Sequence, residues 1–205
     1  MRHHRRHRSS TPMKQPGKIT VVCGSMFAGK SEELIRRARR ALYARKSVQV
    51  FKPAIDVRYD QTMVVTHEGA RHEAVPVVNV AELRTRIDPK AQIVLIEEAQ
   101  FFDDSIVDLA VELADRGVEV ILAGLDQDFR RRPFGPMPTL LSVADEVVKL
   151  RAICMKCGSP ASHTQRIVDG RPAHQDDPLI VIGATEAYEA RCRRCYELRG
   201  VRRRR

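Results

Sequence analysis

The chain contains no tryptophan, and only 5% of its 205 residues are aromatic. Proteins that track single-stranded nucleic acid interleave exposed aromatics with basic residues on their folded surface, so this composition argues against that class. No apolar run approaches the roughly 18 residues needed to span a bilayer, which sets aside a membrane-spanning protein. The opening residues MRHHRRHRSS are basic, but no apolar segment follows them, so a secretory signal is not expected. Acid is scarce at both ends. Residues 1–18 carry six Lys/Arg and no acidic residue, and residues 191–205 carry eight Arg against one Glu. These ends contribute +6 and +7 to a net charge of +10, leaving −3 for everything between. A nucleic-acid-binding domain carries its basic patch on the folded body. Here the tails suit solubility or weak, salt-sensitive binding, and no specific nucleic-acid partner is expected.

Hydrophobic residues make up 43% of the chain, enough for a sizeable core, and the length suits one domain with a small appendage. Residues 18–23 form a short apolar run of the buried-strand type ending at Gly24. From about Ser31, the residues Leu34, Ile35, Ala38, Ala41 and Leu42 recur at helical spacing, with Arg36, Arg37, Arg39 and Arg40 on the wet side. Further strands are predicted over 47–51, 75–80, 91–96, 118–123 and 145–150. Helical stretches are predicted over 81–87 and 105–115, the second stopped by Gly117. Strands alternating with helices predict an α/β fold, a mostly parallel sheet flanked by helices. After Cys154 the pattern breaks into short, turn-rich pieces. The expected organisation is a basic tail (1–17), a main α/β domain (18–150), a small metal-stapled unit (151–198) and an Arg-rich tail (199–205).

Gly24-Ser25-Met26-Phe27-Ala28-Gly29-Lys30-Ser31 matches GxxxxGK[ST]. Glycines let backbone N–H groups turn inward around phosphate oxygens, and the following helix adds its positive N-terminal end. Lys30 is suited to the β- and γ-phosphates and Ser31 to Mg²⁺. A chance match in an unrelated turn is the plain alternative. The strand before the motif and the amphipathic helix after it supply the context that a phosphate loop requires. Cys23, just upstream, reads as a small core residue.

Such a loop needs a carboxylate at the end of a neighbouring strand. Residues 93–96 lead into Glu97-Glu98, whose side chains point to opposite sides if both are extended. Glu97 is assigned to the Mg²⁺ shell and Glu98 to an acceptor hydroxyl as general base. A regulatory nucleotide binder without chemistry would lack the second of these.

Four of the five cysteines form two CxxC pairs, Cys154/Cys157 and Cys192/Cys195. Four thiolates with no vacancy suit a tetrahedral, structural Zn²⁺, with paired redox dithiols as the rival reading. The 34 residues between the pairs would then form a lid anchored at both ends by the ion. His163 and His174 lie in the same segment and read as solvent or hydrogen-bonding residues, since the cysteines already fill the shell.

Together these motifs resemble the cytosolic P-loop type of thymidine kinase. GSMFAGKS resembles that family's phosphate loop, and Glu97-Glu98-Ala99-Gln100-Phe101-Phe102 its metal and base motif. Residues 124–129 (GLDQDF) and 132–135 (RPFG) resemble its substrate-site segment. The run from Val181 to Tyr188, before the second cysteine pair, resembles the loop that encloses the base. The similarity runs in order from about residue 18 to 196. It implies transfer of the γ-phosphate of ATP to the 5′-hydroxyl of thymidine, with Glu98 taking the proton. It also implies that Arg58 lies near the transferred phosphate, and that Met26, Phe101, Leu125, Phe129 and Phe134 line the nucleoside pocket. Thr164, Val181, Ile182, Gly183 and Tyr188 are implied around the pyrimidine. A homotetramer, feedback inhibition by thymidine triphosphate and a cytoplasmic location follow from the same resemblance. One departure stands out: the family usually has Asp where this chain has Glu97. The main rival from another class is a nucleic-acid-stimulated ATPase with a zinc ribbon; a deoxyguanosine or deoxyadenosine kinase would need a different base pocket.

Overall fold

The computed structural model describes residues 16–54, 63–65, 71–179 and 187–201. In chain order the main unit holds β1 (Lys18–Cys23), α1 (Lys30–Tyr43), β2 (Val48–Pro53), β3 (Met63–Val65), β4 (Arg71–Glu73) and β5 (Val75–Val77). It continues with α2 (Val80–Arg86), β6 (Ile93–Ile96), α3 (Ser105–Asp115), β7 (Glu119–Gly124), α4 (Met137–Val143) and β8 (Glu146–Lys149). Six of these strands form one sheet in the order β5-β2-β6-β7-β1-β8, and every neighbouring pair is parallel. The predicted α/β class is therefore the observed one.

Alternation along the strands divides the core between two faces. Val21, Cys23, Val94, Ile96, Val120 and Leu122 pack on one side with Leu83 of α2, Leu109 of α3 and Leu140 of α4. Val22, Ile93, Leu95, Ile121 and Ala123 pack on the other side with Leu34, Ile35, Ala38 and Ala41 of α1. A period of two meets a period of 3.6, and both faces are dry, as a parallel sheet requires. A side chain such as Leu95, 0% exposed, contributes about 2 kcal/mol by transfer alone.

One predicted strand ends earlier than the sequence expectation. The strand predicted over 75–80 ends at Val77, because Asn79 caps α2 by accepting from the Glu82 N–H at 2.9 Å. The Glu82 carboxylate reciprocates, accepting from the Val78 N–H at 2.7 Å, so the chain is committed to a helix start. α4, the antiparallel pair β3–β4 and a 3₁₀ turn over Ala99–Phe101 are additions that the pattern did not announce.

The smaller unit holds β9 (Ala152–Ile153), β10 (Pro160–Ala161), β11 (His163–Val168), β12 (Arg171–Pro172) and β13 (Ala187–Arg191). β9 pairs with β10, and β11 pairs antiparallel with both β12 and β13. Its own core, Ala152, Cys154, Ala161, Ala190 and Cys195, takes in Ala28 of the phosphate loop. No described helix is long and apolar enough to cross a membrane.

Candidate functional site

The site lies at the C-terminal edge of the sheet, where β1, β7 and β6 end side by side. β1 delivers Gly24 to the start of the loop; its φ of 147° and a carbonyl close by (a Cβ there would sit 2.6 Å from the Leu150 oxygen) leave room for no side chain. The loop ends at Gly29, whose left-handed backbone turns the chain into α1. Lys30 donates to the Ser25 carbonyl at 3.0 Å, holding its ammonium inside the loop. Burial pushes the Lys30 pKa below its ordinary value, against the opposing pull of Glu98 and Glu97. A cation kept in so dry a place suits an anionic ligand that would pay back its lost hydration.

Ser31 donates its hydroxyl hydrogen to the Glu97 carboxylate. β6 is separated from β1 by β7, so this bond crosses an intervening strand. Glu97 is 8% exposed, and its pKa is raised to about 7, first by burial and then by the neighbouring Glu98 charge. The hydroxyl and carboxylate oxygens of Ser31 and Glu97 are hard donors of the type Mg²⁺ takes. The structure therefore brings together the two residues assigned to the Mg²⁺ shell.

Glu98 departs from the extended geometry considered for the pair. Its backbone is left-handed (φ 51°, ψ 42°), because the chain leaves β6 there and enters the 3₁₀ turn. Glu97 follows β6 directly, its N–H still bonded to the Phe51 carbonyl of β2 at 2.9 Å, while Glu98 starts a corner, so the two carboxylates part by a backbone bend and not by strand alternation. Gln100, buried in that turn, donates to the Glu98 carboxylate. Sequence reasoning gave Gln100 no role, although it lies inside the quoted motif.

The predicted nucleoside residues divide into three groups. Phe101 and Phe134 meet edge to face with ring centres 5.5 Å apart, and Leu125 donates its N–H to Gln100 at 3.0 Å. Met26 donates its N–H to the Thr164 hydroxyl at 3.0 Å, joining the phosphate loop to β11. The register of β11 and β13 sets Arg166 opposite Tyr188 and Thr164 opposite Ala190, so Thr164, Arg166 and Tyr188 share one face. Phe129 is 5% exposed, with the guanidinium carbons of Arg130 and Arg166 at 4.8 and 5.0 Å from its ring centre. Tyr196 donates its hydroxyl hydrogen to the Phe129 carbonyl, a second tie between the units. Arg58, Val181, Ile182 and Gly183 lie outside the described residues.

The four cysteine sulfurs of Cys154, Cys157, Cys192 and Cys195 all lie within 4.8 Å of one another. Cys157 and Cys192 are 3.7 Å apart, close to the roughly 3.8 Å edge of a tetrahedron with Zn–S bonds near 2.3 Å. Each pair folds as the same tight turn: the Cys154 carbonyl accepts from Cys157 and Gly158, and the Cys192 carbonyl from Cys195 and Tyr196. Hydrogen bonding, led by Ser159, pulls the Cys157 thiol down to about 5, while the Cys157 contact leads in pushing Cys195 up to about 12. Four sulfurs at this spacing match the ligand set of a tetrahedral Zn²⁺ site. His163 is 2% exposed and shares a hydrogen with Gln127 at 3.1 Å; His174 faces Asp176 at 3.3 Å, and neither joins the cluster. Cys23 is fully buried, and burial raises its pKa to about 11, so it is an inert core thiol.

A sequence model of one family, thymidine kinase, matches residues 17–196, well over half of the chain. The protein belongs to the thymidine kinase family. The matched stretch begins just ahead of β1 and ends one residue after Cys195, so it takes in both the parallel sheet and the cysteine cluster. Membership makes the chain a phosphotransferase that acts on thymidine.

Proposed function

We propose that the chain transfers the γ-phosphate of ATP to the 5′-hydroxyl of thymidine, with Glu98 as general base, in pyrimidine deoxynucleoside salvage for DNA synthesis. The observation that carries this reading is the convergence of Lys30, Ser31, Glu97 and Glu98 at one sheet edge, inside a chain of this family.

The division of labour in this reading joins the roles implied by the family resemblance to the described positions of Lys30, Ser31, Glu97 and Glu98. Backbone N–H groups of residues 24–31 and the Lys30 ammonium bind the phosphates of ATP, with Arg58 beside the transferred group. Ser31 and Glu97 would hold magnesium, which when bound supplies neutralising charge at the phosphate oxygens. Glu98 accepts the proton of the 5′-hydroxyl as oxygen attacks phosphorus. The nucleoside sits against Met26, Phe101, Leu125, Phe129 and Phe134, capped by Thr164, Tyr188 and the segment 181–183. Positioning supplies most of the acceleration in this chemistry, since the transferred phosphoryl needs little covalent help.

Zinc held by Cys154, Cys157, Cys192 and Cys195 would fix both ends of the segment that closes over the base. Family membership supports the remaining parts of the reading: a homotetramer, inhibition by thymidine triphosphate and action in the cytoplasm. Incubation with γ-labelled ATP and a panel of nucleosides tests the substrate. Labelled thymidine monophosphate supports it. ATP hydrolysis without a labelled nucleoside, stimulated by DNA or RNA, points instead to a zinc-ribbon ATPase.

A further inference from the structure

The corner after β6 contains a buried amide that the phosphotransfer reading does not use. Gln100 is 2% exposed and spans two segments distant in sequence. Its Oε1 accepts from the Leu125 N–H at 3.0 Å, and its Nε2 donates to the Glu98 carboxylate. A backbone N–H only donates, so the Leu125 bond fixes which end of the amide is oxygen. The NH₂ end must therefore face Glu98.

The space around the amide is restricted on both sides. A Cβ on Gly124 would lie 2.7 Å from Gln100 Oε1 and 2.8 Å from the Met137 sulfur. A Cβ on Gly135 would lie 2.3 Å from the Gln100 carbonyl oxygen. The backbone turn is closed by the Phe101 N–H bonding the Glu98 carbonyl at 3.1 Å. Glu98 itself is left-handed, an uncommon backbone form for a residue other than glycine. Within this corner the Gln100 amide reaches its carboxylate directly.

We infer that Gln100 is a positioning residue for Glu98: its amide occupies one carboxylate oxygen and leaves the other to receive the 5′-hydroxyl proton. The same amide ties Glu98 to Leu125, so the base and the wall of the nucleoside pocket move as one piece. This role rests on the proposed general-base reading of Glu98.

Two variants and one double-mutant cycle test it. Gln100→Glu keeps the shape and the acceptor for Leu125 but offers Glu98 an oxygen in place of a donor. Gln100→Met keeps the volume without a buried charge, and it decides the matter if the Glu variant fails to fold. With thermal melts confirming a folded protein, either variant is expected to lower kcat by roughly tenfold to hundredfold. For Gln100→Glu, which keeps the acceptor for Leu125, thymidine KM should stay within about threefold, because the lost contact acts on the base and not on nucleoside binding. In a Glu98→Gln background, Gln100→Met should cost no further activity; a packing role would still be additive there. A folded Gln100→Met enzyme with wild-type kcat, or full additivity with Glu98→Gln, overturns the positioning role. Glu98→Gln at wild-type kcat overturns the base assignment itself, and the positioning role with it.

Discussion

The Met26 N–H, in the phosphate loop, donates to the hydroxyl of Thr164 on β11 at 3.0 Å, so the nucleotide loop and the cysteine-bearing unit share a hydrogen bond. Ala28, two residues on, packs into the small unit's core beside Cys154 and Cys195. The cysteine-bearing unit is therefore packed and hydrogen-bonded against the phosphate loop.

That coupling makes metal removal a test of ATP binding. Zinc extraction by a chelator is expected to weaken ATP affinity along with thymidine affinity, measured by calorimetry on the same sample. Thr164→Val isolates the hydrogen bond alone. Losing it is worth about 1 kcal/mol, or about fivefold in ATP affinity. Unchanged ATP binding in both experiments would show that the two units act independently.

Glu97 ties the charge of the site to its stability. Below pH 4.5 its carboxyl is protonated whether the chain is folded or not. Between 4.5 and about 7 the unfolded chain ionises while the folded one keeps its proton. Stability therefore falls as pH rises through that window, by about 3 kcal/mol at most, and is flat with respect to this group above it. Urea melts at pH 5 and pH 8, without magnesium or nucleotide, should show that loss in the wild type and less of it in Glu97→Gln. The same variant should be poorer at phosphoryl transfer. Glu97→Asp restores the residue usual in the family and is expected to retain transfer, since the charge remains.

Lys30 carries a parallel tension of opposite sign. Its pKa is lowered by burial, so the charged form opposes folding below the ordinary lysine pKa and the penalty is relieved as pH rises. Lys30→Met should raise the melting temperature of the ligand-free protein at pH 7. Transfer should fall by roughly 10²- to 10³-fold, the scale seen when one electrostatic donor is removed from a transition state. A variant that melts lower and turns over normally would contradict both halves.

Much of this site was legible in the sequence, because its chemistry sits in contiguous motifs. The loop from Gly24 to Ser31 carries its own context of strand before and helix after, and α3 is bounded as its periodicity and Gly117 predict. Two CxxC pairs announce a metal cluster without any knowledge of the fold. What escaped is what only three dimensions decide. The left-handed corner at Glu98 follows from leaving a strand, and no residue type there signals it. Gln100 reaches 25 residues along the chain to Leu125, a pairing that no local pattern contains. α4 spans seven residues with Pro136 at its cap and Pro138 in its first turn, too short for a helical period to show and easily read as a turn. Phe129 reads in the sequence as a pocket wall; in the fold its ring lies beneath Arg130 and Arg166 and its carbonyl accepts from Tyr196, contacts that no local pattern contains.

The central claim is that this sheet edge moves phosphate from ATP to thymidine with Glu98 as the base. The most direct measurement is single-turnover transfer from γ-labelled ATP to thymidine, comparing wild type with Glu98→Gln at matched ATP occupancy. The account expects labelled thymidine monophosphate from the wild type and a loss of roughly 10²- to 10⁴-fold in the variant, with ATP binding intact. Equal rates from both proteins, or label released only as inorganic phosphate, would contradict it.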